Sequence, residues 1–387
     1  MSFELDEENQ LFRETTRKWI DKEFPKDWCR EIETHEHQFP TEFWDKLVAY
    51  GAHGIGIPEE YGGLGGSITT QSIFARELSR TAGGLSWIWG VTSFSGSKAM
   101  GYCGTEEQKQ KFLPQIAAGE LKTAMSYTEP GGGTDLLGGM KTTAKKADGG
   151  WVINGEKIWS TLASNADYLL VLARSNRDVV KRSDGISMFF VPAKSDGITM
   201  TELPKLGMRA ASSCSVYLED VFVPDELLLG EEGKGWYAST KPLNNERLIN
   251  AATCLGMLDG VLEDAVEHLK TRHAFGKPIG QFQALQHYVA EMAMWQLQGE
   301  LMMYHTARLQ EQGRPNATES AMVKTLCSEY AGKAADLGIQ ILGGMGYSAE
   351  TDMQRYWRDS RLLRIGPVSN EMARNQIAES FGLPRSY

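Results

Sequence analysis

Four strings in the chain combine residue types suited to holding a flat ligand that carries phosphates, and a fifth sets an acid beside a cation. In Tyr127-Thr128-Glu129-Pro130-Gly131-Gly132-Gly133-Thr134-Asp135 the glycines let the backbone approach a ligand closely, and the Thr128 and Thr134 hydroxyls can hydrogen-bond to its polar atoms. Gly155-Glu156-Lys157-Ile158-Trp159-Ser160-Thr161 offers an indole, a flat apolar wall with one donor. Arg272, in Arg272-His273-Ala274-Phe275-Gly276-Lys277-Pro278-Ile279-Gly280 followed by Gln281-Phe282-Gln283, has a planar fork that can grip two phosphate oxygens at once. Gln340-Ile341-Leu342-Gly343-Gly344-Met345-Gly346-Tyr347 places a glycine turn after a helical run, and Leu243-Asn244-Asn245-Glu246-Arg247-Leu248 supplies the acid and the cation. Each string also has a plain structural reading. These are a turn opening a strand, a core tryptophan, a surface linker that includes His273, a helix terminator and a solvated Glu-Arg pair.

Three segments with different hydrophobic periods must position these strings. From Glu7 to about Leu121 the period is helical, as in Leu11 to Ile20, Phe43 to Tyr50 and Glu106 to Ile116. The connector Tyr61-Gly62-Gly63-Leu64-Gly65-Gly66 fits neither GxGxxG nor GxxxxGK[ST] and reads as a flexible turn. Between about Thr123 and Pro224 the period falls to two, as in Trp151 to Trp159, Tyr168 to Ala173 and Ile186 to Val191, with Asp148-Gly149-Gly150 as a hairpin turn. After Gly235 long helical patterns return over roughly Tyr237 to Thr271, Gln283 to Gln312 and Thr318 to Leu342, with a shorter pair near the end. The expectation is an α+β protein with an N-terminal helical domain (1–122), a middle β-barrel or sandwich domain (123–230) and a C-terminal four-helix bundle (231–387).

The five strings stand in the order and spacing of the acyl-CoA dehydrogenase family, and the resemblance runs from end to end. The first is similar to that family's TEPGAGSD signature, the second to GxKxWIT, the third to R-x-x-F-G-x-x-[IL] and the fourth to Q-x-x-G-G-x-G-[YF]. The resemblance implies FAD. Tyr127, Thr128 and Gly133 would lie along the flavin, with Thr128 at the isoalloxazine edge; Thr134 would reach the pyrophosphate and CoA. Trp159 would cover the ring and Thr161 bond near N5. Arg272 would reach the FAD pyrophosphate of a neighbouring subunit, with Phe275 and Gln283 as further cofactor contacts, and Gln340, Gly343 and Gly344 would approach the adenosine part of FAD.

Arg364-Ile365-Gly366-Pro367-Val368-Ser369-Asn370-Glu371 occupies the place of the family's Y-E-G-T-S-E-I segment, with Ser369 and Glu371 as cofactor contacts by alignment. It departs from that pattern, because Pro367 stands where many members carry the catalytic Glu. In the branch containing isovaleryl-CoA and long-chain acyl-CoA dehydrogenases the base comes instead from a bundle helix, in a string resembling L-x-x-E-R-[LF]. That resemblance makes Glu246 the base that removes the proton next to the thioester carbonyl while a hydride leaves the β carbon for flavin N5. It places Asn244 and Arg247 near the substrate. Pro367 also lacks the backbone N–H that relatives aim at the thioester oxygen, so that donor is absent, supplied elsewhere or restored by a register shift.

Composition narrows the alternatives. A formal charge of -10 from 40 basic and 50 acidic residues gives no field for nucleic acid, and no apolar stretch reaches the length of a membrane span. Five scattered cysteines show no metal or disulfide spacing, so neither a metal site nor an oxidising compartment is expected. The acidic start, without signal or transit character, and the scattered thiols point to a cytoplasmic enzyme. The family implies an acyl-CoA substrate, an electron-transferring flavoprotein as partner and a homotetramer. Two other readings stay open: an enoyl-CoA reductase of the crotonobetainyl-CoA reductase type, and an inactive relative that binds flavin or acyl-CoA.

Overall fold

The structure is a computed structural model, described here for residues 5–35 and 38–385; the first four residues of the acidic start lie outside that range. The first segment contributes helices Glu7–Glu23, Lys26–Thr34, Thr41–Tyr50, Ile68–Ala82, Ser97–Cys103 and Glu106–Ala117. Side-chain caps fix the starts of the first and last of them. Asp6 accepts from the Asn9 amide, and Thr105 with Gln108 forms a reciprocal capping box. The glycine-rich connector is a tight turn rather than a loose one. Gly62, Gly65 and Gly66 have φ of 76°, 64° and 93°, and a Cβ at Gly63 would sit 2.0 Å from the Ile57 carbonyl oxygen. Ahead of Ser97, residues 90–96 wind as a π-helix, a form concentrated at functional places.

The middle segment forms β1 (Thr123–Ser126), β2 (Thr143–Ala147), β3 (Gly150–Thr161), β4 (Tyr168–Arg174), β5 (Ile186–Pro192), β6 (Ile198–Glu202), β7 (Ser213–Pro224) and β8 (Leu228–Leu229). These strands hydrogen-bond as one sheet in the order β6-β7-β3-β2-β4-β5-β8, with β1 added parallel to β4. Gly149, at φ 69°, turns the chain between β2 and β3 as the hairpin signal implied. The bundle consists of Gly235–Thr271, Gln283–Glu311 and Ala317–Leu342, followed by Met353–Leu363 and Asn370–Glu379.

Burial does not follow the three segments. Ile68–Ala82, almost wholly buried, packs against Gly235–Thr271, so the first helices and the bundle share one core. Residues from Ala99 to Leu121 belong with the sheet in a second core. Polar groups lock the join: Arg76 pairs with Asp259 at 2.7 Å, and Asp359 accepts from the amides of Gly84 and Met208 at 2.8 and 2.6 Å. Asp359 thereby ties all three segments together.

Candidate active site

Glu246 sits in Gly235–Thr271, four residues beyond Pro242. Proline has no N–H, so the carbonyl of Ala238 loses its helical donor. The Cys103 thiol takes that place at 3.4 Å, fastening the helix to Ser97–Cys103 just before the carboxylate. Asn245 makes a second fastening by donating to the Tyr102 hydroxyl at 3.1 Å. Glu246 itself is 6% exposed, and its Oε2 has no hydrogen-bond partner among the described residues. Burial pushes its pKa up to about 7, against the pull of Arg247. A carboxyl so placed can accept a proton near neutral pH.

Arg247 is a second unusual group. Its Nη1 donates to Asn244 Oδ1 at 3.2 Å and Gln376 Oε1 at 2.9 Å, and its Nε is buried without a partner among the described residues. Burial lowers its pKa while Glu246 raises it. Other buried arginines, such as Arg76 and Arg355, bond directly to carboxylates. Tyr127 lies near enough to feel the Glu246 charge, and burial keeps its phenol protonated with its hydroxyl on the Met188 sulfur at 3.4 Å. Asn250, one turn past Glu246, donates to the Gly366 carbonyl at 3.2 Å and so brings the Pro367 segment alongside.

The loop 127–135 and β3 form the second wall. Lys157, fully buried, donates to Glu129 Oε1 at 2.9 Å and to the Tyr127 carbonyl at 3.2 Å. Glu129 also accepts from the Lys141 and Thr142 amides at 2.6 and 2.9 Å, and the Ile158 amide bonds to the Thr128 carbonyl at 2.9 Å. Between Lys157 and Ser160 the register with β7 slips, and Trp159 adopts φ 61°. That bulge throws the indole outward, 56% exposed, beside Thr128. Thr161 follows, its hydroxyl 3.3 Å from that of Ser213. Gly131 and Gly133 have open space where a Cβ would be, and Thr134 is exposed. An outward indole, an open glycine turn and two hydroxyls fit a flat dinucleotide such as FAD.

The remaining residues named from sequence stand apart. Arg272, Phe275, Gln283, Gln340, Gly343 and Gly344 are exposed, and none makes a hydrogen bond, ion pair or ring contact with the loop 127–135 or β3. Ser369 caps Asn370–Glu379 through the Met372 amide, with Glu371 exposed in its first turn. His273 is a linker residue whose ring nitrogen meets the Thr271 carbonyl at 3.1 Å. No cluster of metal ligands occurs among the described residues, and no described helix is long and apolar enough to cross a membrane.

Sequence reasoning missed the Glu129–Lys157 clamp, the Pro242–Cys103 fastening and the carbonyl held by Asn250. The first had a signal, since an acid and a lysine stand inside otherwise apolar or glycine-rich strings. The second had one too, a proline four residues ahead of the acid. The third depends on a contact more than a hundred residues apart in sequence and had none.

Comparison with known proteins matches residues 6–120 to the family model for the acyl-CoA dehydrogenase N-terminal domain, 124–221 to the middle domain and 233–382 to the C-terminal domain. The chain is 35% identical over 373 residues to the mitochondrial isovaleryl-CoA dehydrogenase of Oryza sativa subsp. japonica, covering 96% of this chain and 90% of that one. It is 35% identical over 363 residues to the caffeyl-CoA reductase-Etf complex subunit CarC of Acetobacterium woodii, covering 93% and 94%. Among solved structures it is similar to an acyl-CoA dehydrogenase complexed with FAD from Bacillus anthracis. That match has a TM-score of 0.90 and 32% identity, covering 98% of this chain and 67% of that chain.

Proposed function

The chain belongs to the acyl-CoA dehydrogenase family, FAD-dependent oxidoreductases acting on the CH–CH bond of acyl-CoA thioesters, and within that chemistry we propose that Glu246 is the catalytic base. The observation that carries the assignment is a buried carboxylate without a donor among the described residues, its pKa moved to about 7, on the helix beside Pro367. Pro367 offers no side-chain base of its own. Glu246 removes the proton next to the thioester carbonyl and holds it on its carboxyl. Bound FAD supplies a two-electron acceptor for the hydride that leaves the β carbon, giving the trans-2-enoyl-CoA. Arg247 and Asn244 bind the substrate on the Gln376 side, while Thr134 reaches CoA. Trp159 covers the flavin, Tyr127, Thr128, Gly133 and Thr161 line it, and Ser369 and Glu371 complete its contacts.

The wider reading is a cytoplasmic homotetramer that passes electrons to an electron-transferring flavoprotein. Arg272, Phe275, Gln283, Gln340, Gly343 and Gly344 would reach the FAD of a neighbouring subunit, which suits their exposure and their separation from the chain's own flavin wall. We take 1–122, 123–230 and 231–387 as its organisational units. Similarity to a caffeyl-CoA reductase subunit favours one second reading, reduction of an enoyl-CoA with Glu246 returning the proton.

Turnover decides the base. Glu246→Gln keeps the shape of the side chain and cannot take a proton, so the variant is expected to retain FAD and acyl-CoA binding and to lose about a hundredfold or more in rate. Anaerobic flavin bleaching across a set of straight and branched acyl-CoA thioesters measures this and identifies the preferred acyl group. Parental bleaching by the Gln variant would place the base elsewhere.

A further inference from the structure

The segment 366–369 passes the site without regular secondary structure, and Pro367 contributes no amide hydrogen to hold it. Besides the Gly366 amide, which donates to the Leu362 carbonyl at 3.0 Å, it is held by its carbonyls, from two bundle helices. Asn250, one turn from Glu246 on the same helix face, donates to the Gly366 oxygen at 3.2 Å. Lys324 of Ala317–Leu342, fully buried, donates through Nζ to the Val368 oxygen at 2.5 Å and to Asn370 Oδ1 at 2.8 Å. The Asn370 amide continues the chain to Ser328 Oγ and Glu329 Oε1, both at 3.0 Å.

The choice of lysine is informative. Both of its acceptors are neutral, and no carboxylate among the described residues lies within ion-pair distance of it. Lys157, the comparable buried lysine, has Glu129 at 2.9 Å. Burial pulls Lys324 down to about 8, Arg247 adds to that, and Cys254, Glu371 and Glu329 oppose it. A buried ammonium facing only neutral oxygens costs stability that a methionine of similar size would not, so packing does not account for it. Fixing the Val368 peptide does.

We propose that Lys324, together with Asn250, is a positioning residue for the reaction, pinning the Gly366 and Val368 carbonyls so that the segment around Pro367 keeps a fixed place against the Glu246 carboxylate. The proposal rests on Glu246 as base. A substrate lying between the segment and the carboxylate would be misplaced whenever the segment moved, and displacements of about 1 Å can cost on the order of a hundredfold in rate.

The test compares the FAD-loaded full chain with Lys324→Met, Lys324→Arg, Asn250→Ala and a control, Lys98→Met, which removes a half-buried lysine that likewise donates to a backbone carbonyl, that of Gly56. Amide hydrogen exchange is followed at residues 366 and 368–370. Anaerobic flavin bleaching is followed against concentration of the acyl-CoA that bleaches the parent fastest. Lys324→Met should raise exchange and lower the limiting bleaching rate by about tenfold or more each, with the half-saturating concentration within about threefold and FAD content unchanged. Lys324→Arg should recover part of the rate, and Lys98→Met should change neither measurement. If Lys324→Met fails to fold, Asn250→Ala carries the same expectation. Unchanged exchange overturns the clamp, and raised exchange with a limiting rate within about twofold of the parent overturns the positioning role. If no thioester bleaches the parent, the reading of Glu246 fails and takes the catalytic half of the proposal with it, while the exchange result still judges the clamp.

Discussion

A carboxylate buried with no donor among the described residues is unstable charge, and that instability suits Glu246 to the role of base proposed for it. Its carboxyl titrates near 7 because burial disfavours the ion, and the reaction needs the ion. Bleaching rates should therefore rise with pH through about 7 and level off above it, and that limb should vanish in Glu246→Gln. Stability runs the other way. An acid whose folded pKa is raised binds more protons folded than unfolded between about 4.5 and 7, so its contribution is full below that window and is lost as pH rises through it. Glu246→Gln should then be more stable than the parent at pH 8, by at most about 3 kcal/mol, as read from urea midpoints. Equal stability at pH 8 would mean that the folded carboxyl titrates normally. The residue was legible as a candidate because its string keeps the acid, the arginine and the flanking leucines together. Its environment was not, since burial of the unpartnered oxygen depends on contacts between segments far apart in sequence.

The apolar runs located β3, β4 and β5 to within a residue or two, although β4 and β5 are buried on both faces along nearly their whole length and do not alternate. Nothing in those runs marks the bulge at Trp159, where one residue leaves the ladder at φ 61° and turns its indole outward. The glycine connector was read too loosely because glycine signals a turn without saying what packs over it. Loop and strand are joined by Lys157 and Glu129, a buried pair in which burial raises Glu129 but Lys157 and two backbone donors outweigh it and hold its carboxyl low. Burial brings Lys157 to about 8 even with that partner. Removing one member leaves the other charged and dry. Lys157→Met is expected to cost about 3–5 kcal/mol and to release FAD on gel filtration, since the loop bearing Thr128 and Thr134 loses its anchor. Adding Glu129→Gln to it should recover part of the stability. A single variant with parental midpoint and FAD content would show that the pair does not hold the loop.

At the scale of the molecule the three-part order was legible from the change of period along the chain, whereas the sharing of one core between Ile68–Ala82 and the bundle was not. Period tells which face of a helix is apolar and leaves open which segment covers it. The same ambiguity surrounds the apolar residues that the fold leaves uncovered: Met294, Leu297 and Leu301 recur at helical spacing on Gln283–Glu311, and Phe275 stands 93% exposed at φ 52° against Phe282. A large aromatic held out in a left-handed turn is costly unless something receives it. Beside it, the exposed Arg272 side chain has no hydrogen-bond partner among the described residues, the condition expected of a group whose acceptor lies on another subunit. These two residues should act together. Arg272→Ala is expected to weaken FAD retention with little change in the monomer's own packing, and Phe275→Asp to shift light-scattering mass downward and lose FAD at the same time. Salt should weaken the Arg272-dependent part and leave the Phe275-dependent part, because screening acts on the charge and not on the ring. If Arg272→Ala and Phe275→Asp both keep parental mass and FAD content, the linker 272–283 neither joins subunits nor holds FAD.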